Sequence, residues 1–339
     1  MLLFNLKRMA LSKIIGTKIA GIATVLPSSK EDNLKLFTLD INQKEELVKH
    51  TGIRFRHVAK DKVQSAKVLF KSAINKLLET LGWDRGSIDV LVIVTQSAQS
   101  SIPSLACQIH GEMDFSSSVL AYDINSGCSG FVYGLHTVSQ LLASLDQKGK
   151  RAILCCGDVS SSLTEEGDMA VKPIFSDAVC AIGIEGSNSM ESYFNLETFG
   201  KGQKAISLQK NGIGNWMRMD GIEVFNYAVK YVPKNIETLL DRYSCERKIP
   251  EMYVFHQANL LINNSIMKAI GAEEAAVPNS LYKYGNTASA SIPLTFSLNW
   301  RHNKSGWVLF SGFGVGFSVA SALVRIDGIK IAEPEFVTI

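Results

Sequence analysis

The feature that most constrains this chain is a succession of strands and helices that occurs twice in the same order. Ile88 to Thr95 is almost continuously apolar, interrupted by Asp89, as befits a strand buried on both faces of a sheet. A polar loop and a helix from Pro103 to Met113 follow, then a strand from Ser118 to Ile124 and a turn holding Cys128. A helix from Ser129 to Leu145 and a strand from Arg151 to Asp158 complete the set. The succession returns as the strand Met252 to Phe255, the polar His256-Gln257-Ala258-Asn259 and a helix from Leu260 to Ile270. A turn holding Asn286, a helix from Ser289 to Trp300 and a strand from Trp307 to Gly312 then close it. Two copies are too few for a solenoid, so the pattern predicts a duplicated α/β fold with a pseudo-twofold. Chance recurrence is the competing reading, because α/β alternation is common.

Around the repeat, Ile14 to Val25 is β-branched, punctuated by glycine and stopped by Pro27, and reads as a first strand. Gln43 to His50 reads as a short helix. Lys62 to Leu81 reads as a longer one, with Val63, Ala66, Leu69, Ala73, Leu77 and Leu81 near helical spacing. Phe175 to Glu185 reads as a strand, while Ser160 to Pro173 and Gln203 to Met219 read as irregular. The chain divides into a leader over 1–13, expected to be disordered, halves over 14–186 and 187–333, and a tail over 334–339.

Composition excludes several classes. With 339 residues, 46% hydrophobic and 20% charged, the chain can bury a substantial core. A net charge of +3 is too small to argue for nucleic acid. No stretch reaches the roughly 18 uncharged apolar residues of a membrane span, and the apolar run in Met1 to Met9 is too short for a secretion signal. The six cysteines form no CxxC pair and lie in no His-rich spacing. Neither a disulfide framework nor a metal site is expected, and a reducing cytoplasm fits best.

The chemistry centres on Asp123-Ile124-Asn125-Ser126-Gly127-Cys128-Ser129-Gly130-Phe131. A thiol where a strand hands over to a helix lies near unpaired backbone N–H groups and the positive end of the helix dipole, and both favour the thiolate. Cys128 is therefore the candidate nucleophile, against the plain alternative of a buried cysteine in a tight turn. His256 and Asn286 stand at the corresponding points of the second half. Each alone reads equally well as a structural histidine or a turn residue.

These residues belong to a wider set. Thr51-Gly52-Ile53-Arg54, Gly127-Cys128-Ser129-Gly130-Phe131, Phe175-Ser176-Asp177-Ala178 and Asp220-Gly221-Ile222-Glu223-Val224-Phe225 occur in that order. His256-Gln257-Ala258-Asn259, Tyr284-Gly285-Asn286-Thr287-Ala288-Ser289 and Phe313-Gly314-Val315-Gly316-Phe317 continue it, before Ser321-Ala322-Leu323-Val324-Arg325. From about Lys18 to Arg325 the chain resembles the β-ketoacyl-acyl-carrier-protein synthase III family of the thiolase superfamily. The resemblance implies a thiolase-like fold: two duplicated halves with mixed five-stranded sheets in a layered α-β-α-β-α arrangement. It implies a catalytic triad of Cys128, His256 and Asn286, and an oxyanion hole from the backbone N–H groups of Cys128 and Val315. It further implies a homodimer without cofactor, whose substrates are an acyl thioester on CoA or acyl carrier protein and malonyl-acyl-carrier protein.

The activity so implied is acylation of Cys128 followed by decarboxylative Claisen condensation, with two neutral donors stabilising the enolate. Degradative thiolases carry a second cysteine where this chain has Gly312-Phe313-Gly314, and Asn286 favours condensation. Two rivals stand beside it, a non-decarboxylating acyltransferase to a hydroxyl or amine and a catalytically silent partner subunit. Against the family pattern, the Trp and Arg that hold the CoA adenine correspond to Glu46 and His50, and a further Arg to Met169. Basic carrier-docking positions correspond to Asn226 and Leu261. Lys230, Lys234 and Lys268 are left as the docking patch, with a solvated lysine face as the alternative. These departures point to a donor other than acetyl-CoA.

Overall fold

The computed structural model describes residues 10–339 apart from 37, 63–64, 147–148, 212–213, 244–248 and 302–303. The first half contains β1 (Leu11–Pro27), β2 (Lys30–Asp32), α1 (Ile41–Thr51), β3 (Phe55–His57), α2 (Ser65–Leu81), β4 (Val90–Val94) and α3 (Leu105–Glu112). It continues through β5 (Leu120–Ile124), α4 (Gly130–Ser144) and β6 (Arg151–Asp158) into β7 (Ala178–Thr198). After a hairpin of β8 (Ile206–Asn211) and β9 (Gly214–Met219) come α5 (Gly221–Tyr243), β10 (Met252–Phe255), α6 (Leu260–Ala269), α7 (Leu281–Tyr284) and α8 (Ser291–Asn299). The chain ends through β11 (Gly306–Gly314), β12 (Ser318–Ile326), β13 (Lys330–Ile331) and β14 (Glu335–Val337).

β7 is the spine. Its first part, Ala178 to Glu185, runs antiparallel to β6, and its second, Ser192 to Thr198, runs antiparallel to β12. β1 follows it antiparallel throughout, from Leu11 opposite Asn195 to Val25 opposite Val179. One sheet therefore has the order β5-β4-β6-β7-β1, with β5, β4 and β6 parallel. The other has the order β10-β11-β12-β7-β1, with β10 and β11 parallel and β12 antiparallel. The runs β4-β6-β7-β1 and β10-β11-β12-β7 share one succession, a parallel pair followed by two antiparallel ones, which is the duplication expressed as hydrogen bonding.

Three apolar cores separate five layers. α2 packs Leu69, Phe70, Ala73 and Leu77 onto one outer sheet face. α5 packs Val224, Ala228, Val232, Ile236 and Leu239 onto the opposite one. Between the sheets, α4 contributes Phe131, Leu135, Val138 and Leu142, and α8 contributes Ile292, Leu294 and Phe296. α4 lies unusually close to its sheet because Gly130 and Gly134 lack side chains. A Cβ on Gly130 would come within 2.5 Å of Val94 Cγ1, and one on Gly134 within 2.7 Å of Leu154 Cδ1.

Several expectations need correction. Leu11 to Lys13, placed in the disordered leader, pair with Asn195 to Tyr193, and Lys13 meets Glu191 at 2.6 Å. Residues 1–9 lie outside the described residues, as does Val63 of the expected second helix. The strand expected to begin at Phe175 begins at Ala178 and runs on to Thr198, through the polar stretch Glu185 to Glu191. Gln203 to Met219, read as irregular, holds the β8–β9 hairpin. The terminal stretch 334–339 carries β14, which pairs with Val25 to Pro27.

Candidate active site

Cys128 stands in the turn between β5 and α4 and is 5% exposed. The end of β11 closes on this turn at two glycines: a Cβ on Gly314 would lie 2.9 Å from Cys128 Cβ and 3.1 Å from Sγ. One on Gly312 would lie 2.7 Å from Ser129 Cα. The sequence argument that this position favours a thiolate needs correction. Burial pushes the thiol up to about 12, the Asp158 charge pushes the same way, and the residue's own N–H opposes both. Neither cavity at the sulfur is lined by Lys or Arg, so burial wins in the free protein.

His256 continues β10 beyond Phe255, its N–H donating to the Ser311 carbonyl of β11 at 2.8 Å. The ring is 2% exposed and stands edge-on to Phe313, centroids 5.4 Å apart. Its Nδ1 lies 2.7 Å from Ser291 Oγ, and that oxygen accepts from the Gln257 N–H at 3.3 Å. Burial lowers the imidazole to about 3, opposed by the Ala288 carbonyl, so the ring is neutral at physiological pH.

Asn286 is held by its backbone. Its N–H donates to the Ile174 carbonyl at 3.0 Å, and its carbonyl accepts from the Ser176 N–H at 2.9 Å, tying the second-half turn to the first half. The preceding Gly285 has φ +64°, where a side chain would be strained and would press on Arg56. Asn286 Oδ1 accepts from the Ala288 N–H at 2.9 Å, which orients the carboxamide, and Nδ2 makes a long 3.4 Å contact with the Ala258 carbonyl.

Two small adjoining cavities meet at Cys128. One, of about 30 Å³, is walled by His256, Asn286, Phe175, Met219, Val224 and Asn259. The other, of about 20 Å³, is walled by Gln96, Asp158, Leu163, Ile206, Met217 and Val315. The structure thus brings Cys128, His256 and Asn286 to one cavity and Val315 to the wall of the next. A larger polar hollow around Arg56, Lys60 and Lys172, of about 200 Å³, is not lined by Cys128. Among the described residues, no group of three His, Cys, Asp or Glu is placed to hold a metal ion. No described helix is long and apolar enough to cross a membrane.

Two sequence families match this chain: 3-oxoacyl-[acyl-carrier-protein (ACP)] synthase III over residues 122–202, and its C-terminal counterpart over 240–326. A Campylobacter jejuni protein, provisionally named a 3-oxoacyl-[acyl-carrier-protein] synthase 3, is 31% identical, the match covering 92% of this chain and 94% of that one. The chain belongs to the synthase III family of the thiolase superfamily. A Levilactobacillus brevis β-ketoacyl-[acyl-carrier-protein] synthase III is 29% identical over 91% of this chain and 98% of its own. The crystal structure of a 3-oxoacyl-(acyl-carrier protein) synthase from Burkholderia xenovorans superposes with a TM-score of 0.90 at 30% identity, covering 97% of this chain and 99% of that one. The protein is an acyltransferase of the synthase III type, a condensing-enzyme family, and its fold is thiolase-like.

Other residues singled out from the sequence lie away from Cys128. Lys230 and Lys234 are exposed on α5, with Lys230 over the Tyr231 ring at 5.0 Å, and Lys268 is exposed on α6, which packs against α5. The first turns of these two helices supply Val224 and Ile262 to the cavity wall. Glu46 and His50 face each other on exposed α1 at 3.5 Å, and Met169 Sδ accepts from Thr38 Oγ1 at 3.2 Å. Sequence reasoning missed Ser291, five residues after Asn286, and Asp158. The signal for Asp158 was present: a carboxylate ending a strand whose other residues, after Arg151, are apolar or glycine.

Proposed function

We propose that this synthase III elongates an acyl thioester on Cys128 by decarboxylative condensation with malonyl-acyl-carrier protein, using a donor other than acetyl-CoA. The observation that carries the reading is the single buried cavity walled by Cys128, His256 and Asn286. In the first half-reaction the sulfur of Cys128 bonds to the acyl carbon, the donor's C–S bond breaks, and the departing thiol takes the proton. The raised pKa of the free thiol means that proton loss must accompany donor binding and not precede it. Backbone N–H groups of Cys128 and Val315 receive the oxyanion; Val315 on the cavity wall supports this.

In the second half-reaction the malonyl carboxylate leaves as CO₂ and its electron pair passes onto the thioester oxygen. A neutral imidazole and a carboxamide can both donate to that oxygen, and burial, which lowers the His256 pKa to about 3, keeps the ring neutral with one N–H left to donate. With the Ser291 hydroxyl donating to Nδ1, Nε2 carries the ring hydrogen. The carbanion then attacks the acyl carbon, the bond to Cys128 Sγ breaks, and a 3-oxoacyl chain two carbons longer leaves.

Lys230, Lys234 and Lys268 form the surface that meets the acidic carrier. The pairing of Glu46 with His50 supports a donor not held through an adenine sandwich. The protein works as a cytoplasmic homodimer, joined at the outer edge of β5, which pairs with no described strand and leaves Leu120 48% exposed. The test is to incubate the protein with a panel of acyl-CoA and acyl-carrier donors and labelled malonyl-carrier. Covalent mass on Cys128, absent in Cys128→Ala, together with labelled CO₂ is the expected result. Acyl-enzyme without CO₂ release would assign a non-decarboxylating acyltransferase, and no acyl-enzyme with any donor would assign a silent subunit.

A further inference from the structure

Asp158 ends β6 at the wall of the smaller cavity and is 2% exposed. One oxygen is saturated: Oδ1 accepts from Thr95 Oγ1 at 2.9 Å, the Gln96 N–H at 2.6 Å and the Ser97 N–H at 3.0 Å. The other, Oδ2, is buried and has no hydrogen-bond partner. The cavity that Asp158 borders is walled by the apolar Leu163, Ile206, Met217 and Val315 and the polar Gln96 and Ser160, and Cys128 forms part of the same wall. A carboxylate oxygen buried without a donor is costly, and a donor arriving with a ligand relieves that cost only while it is bound.

Which ligand enters this limb follows from the proposed condensation, on which the inference rests. His256 and Asn286 wall the other limb, where the malonyl thioester oxygen must lie, so the group carried on Cys128 has to occupy the limb of Asp158. An unsubstituted alkyl chain there leaves Oδ2 unpaired. A keto oxygen repels it. A hydroxyl donates to it. Burial raises the carboxyl to about 6, which leaves it mostly ionised, and so an acceptor, at neutral pH. The limb is small, at about 20 Å³, and favours a short group. We infer that the acyl donor is a short hydroxyacyl thioester whose hydroxyl donates to Asp158 Oδ2.

Competition between 3-hydroxybutyryl-, butyryl- and acetoacetyl-CoA for Cys128, read as the mass added to the intact protein, tests this without any variant. Loading of the hydroxyacyl group in preference to the other two by about tenfold or more is expected, the scale of one hydrogen bond to a charged acceptor. Asp158→Asn, checked for folding by its thermal melt, keeps an oxygen for the three donors and turns the other position into N–H. It should collapse the preference and raise acetoacetyl loading relative to butyryl. Equal loading of hydroxybutyryl and butyryl by the wild type would overturn the inference, because a water then satisfies Oδ2. So would loading of acetyl alone from a fourth donor. If no donor acylates Cys128, the condensing reading itself has failed; if CO₂ is released with acetyl or butyryl but without hydroxyl preference, only the present inference has.

Discussion

At His256 burial fixes both chemistry and acid stability. The folded ring has a pKa of about 3, and an unfolded histidine one near 6.5. Because the folded value is depressed, the unfolded chain takes up a proton that the folded one refuses as pH falls below about 6.5. The contribution of His256 is therefore complete above that pH and is lost progressively toward pH 3. Asp158 and Asp177 act in the opposite sense: burial raises both to about 6, so their contribution is complete below about pH 4 and is lost as pH rises through 6. His256→Gln isolates the first effect. Between pH 7 and pH 4.5 its melting temperature should fall less than that of the wild type, and an identical fall in both proteins would show that His256 is not buried neutral. Ser291 is the positioning partner of the same ring. Ser291→Ala should slow malonyl decarboxylation by about tenfold while leaving Cys128 acylation nearly unchanged, measured as CO₂ release against intact mass. A parallel fall in both would reduce Ser291 to a packing role. Cys128, His256 and Asn286 were legible because each stands in or beside a recognisable turn. Ser291 was not, because its role depends on a contact across 35 positions.

The same limit operates on elements. Helices and short parallel strands could be read because their apolar residues repeat within the segment. β7 could not be read to its end, because Glu185 to Glu191 is exposed or half-buried and carries no apolar alternation. The β8–β9 hairpin was hidden for a related reason: only Ile206 and Met217 of its described side chains are buried, and they reach the cavity from opposite strands. That hairpin is fastened by Arg218, which meets Asp168 at 3.0 Å and also pairs with Glu165. Ion pairs this exposed contribute little to global stability. Arg218→Ala should thus leave the melting temperature almost unchanged, while amide exchange over 206–219 quickens and longer acyl donors load better relative to short ones. Unchanged exchange would mean that Ile206 and Met217 alone hold the hairpin. On α4 the outcome is different in kind. Gly130→Ala drives a Cβ into Val94 and should destabilise the fold by about 1–3 kcal/mol, seen as a lower denaturation midpoint with unchanged slope.

For the molecule as a whole, the duplication visible in sequence does not make two independent units. β1 and β7 each run through both sheets, so the backbone ladder is continuous where the two halves meet. The site uses the same continuity: Cys128 comes from the first half, while His256 and Asn286 come from the second, and the latter is pinned to Ile174 and Ser176. Opening the halves would disperse the proposed catalytic groups, so cooperative unfolding and an intact site are expected to share one transition. Three of the four tryptophans permit a direct test because each reports a different core. Trp83 lies in the core under α2, Trp300 in the core between the sheets, and Trp307 against the core under α5. In single-tryptophan variants, with phenylalanine at the other tryptophan positions, the three denaturant midpoints should coincide with one another and with loss of Cys128 acylation. A midpoint for Trp83 displaced from the other two would show that the first half unfolds separately. The continuous β1 and β7 ladders would then be too weak to couple the halves.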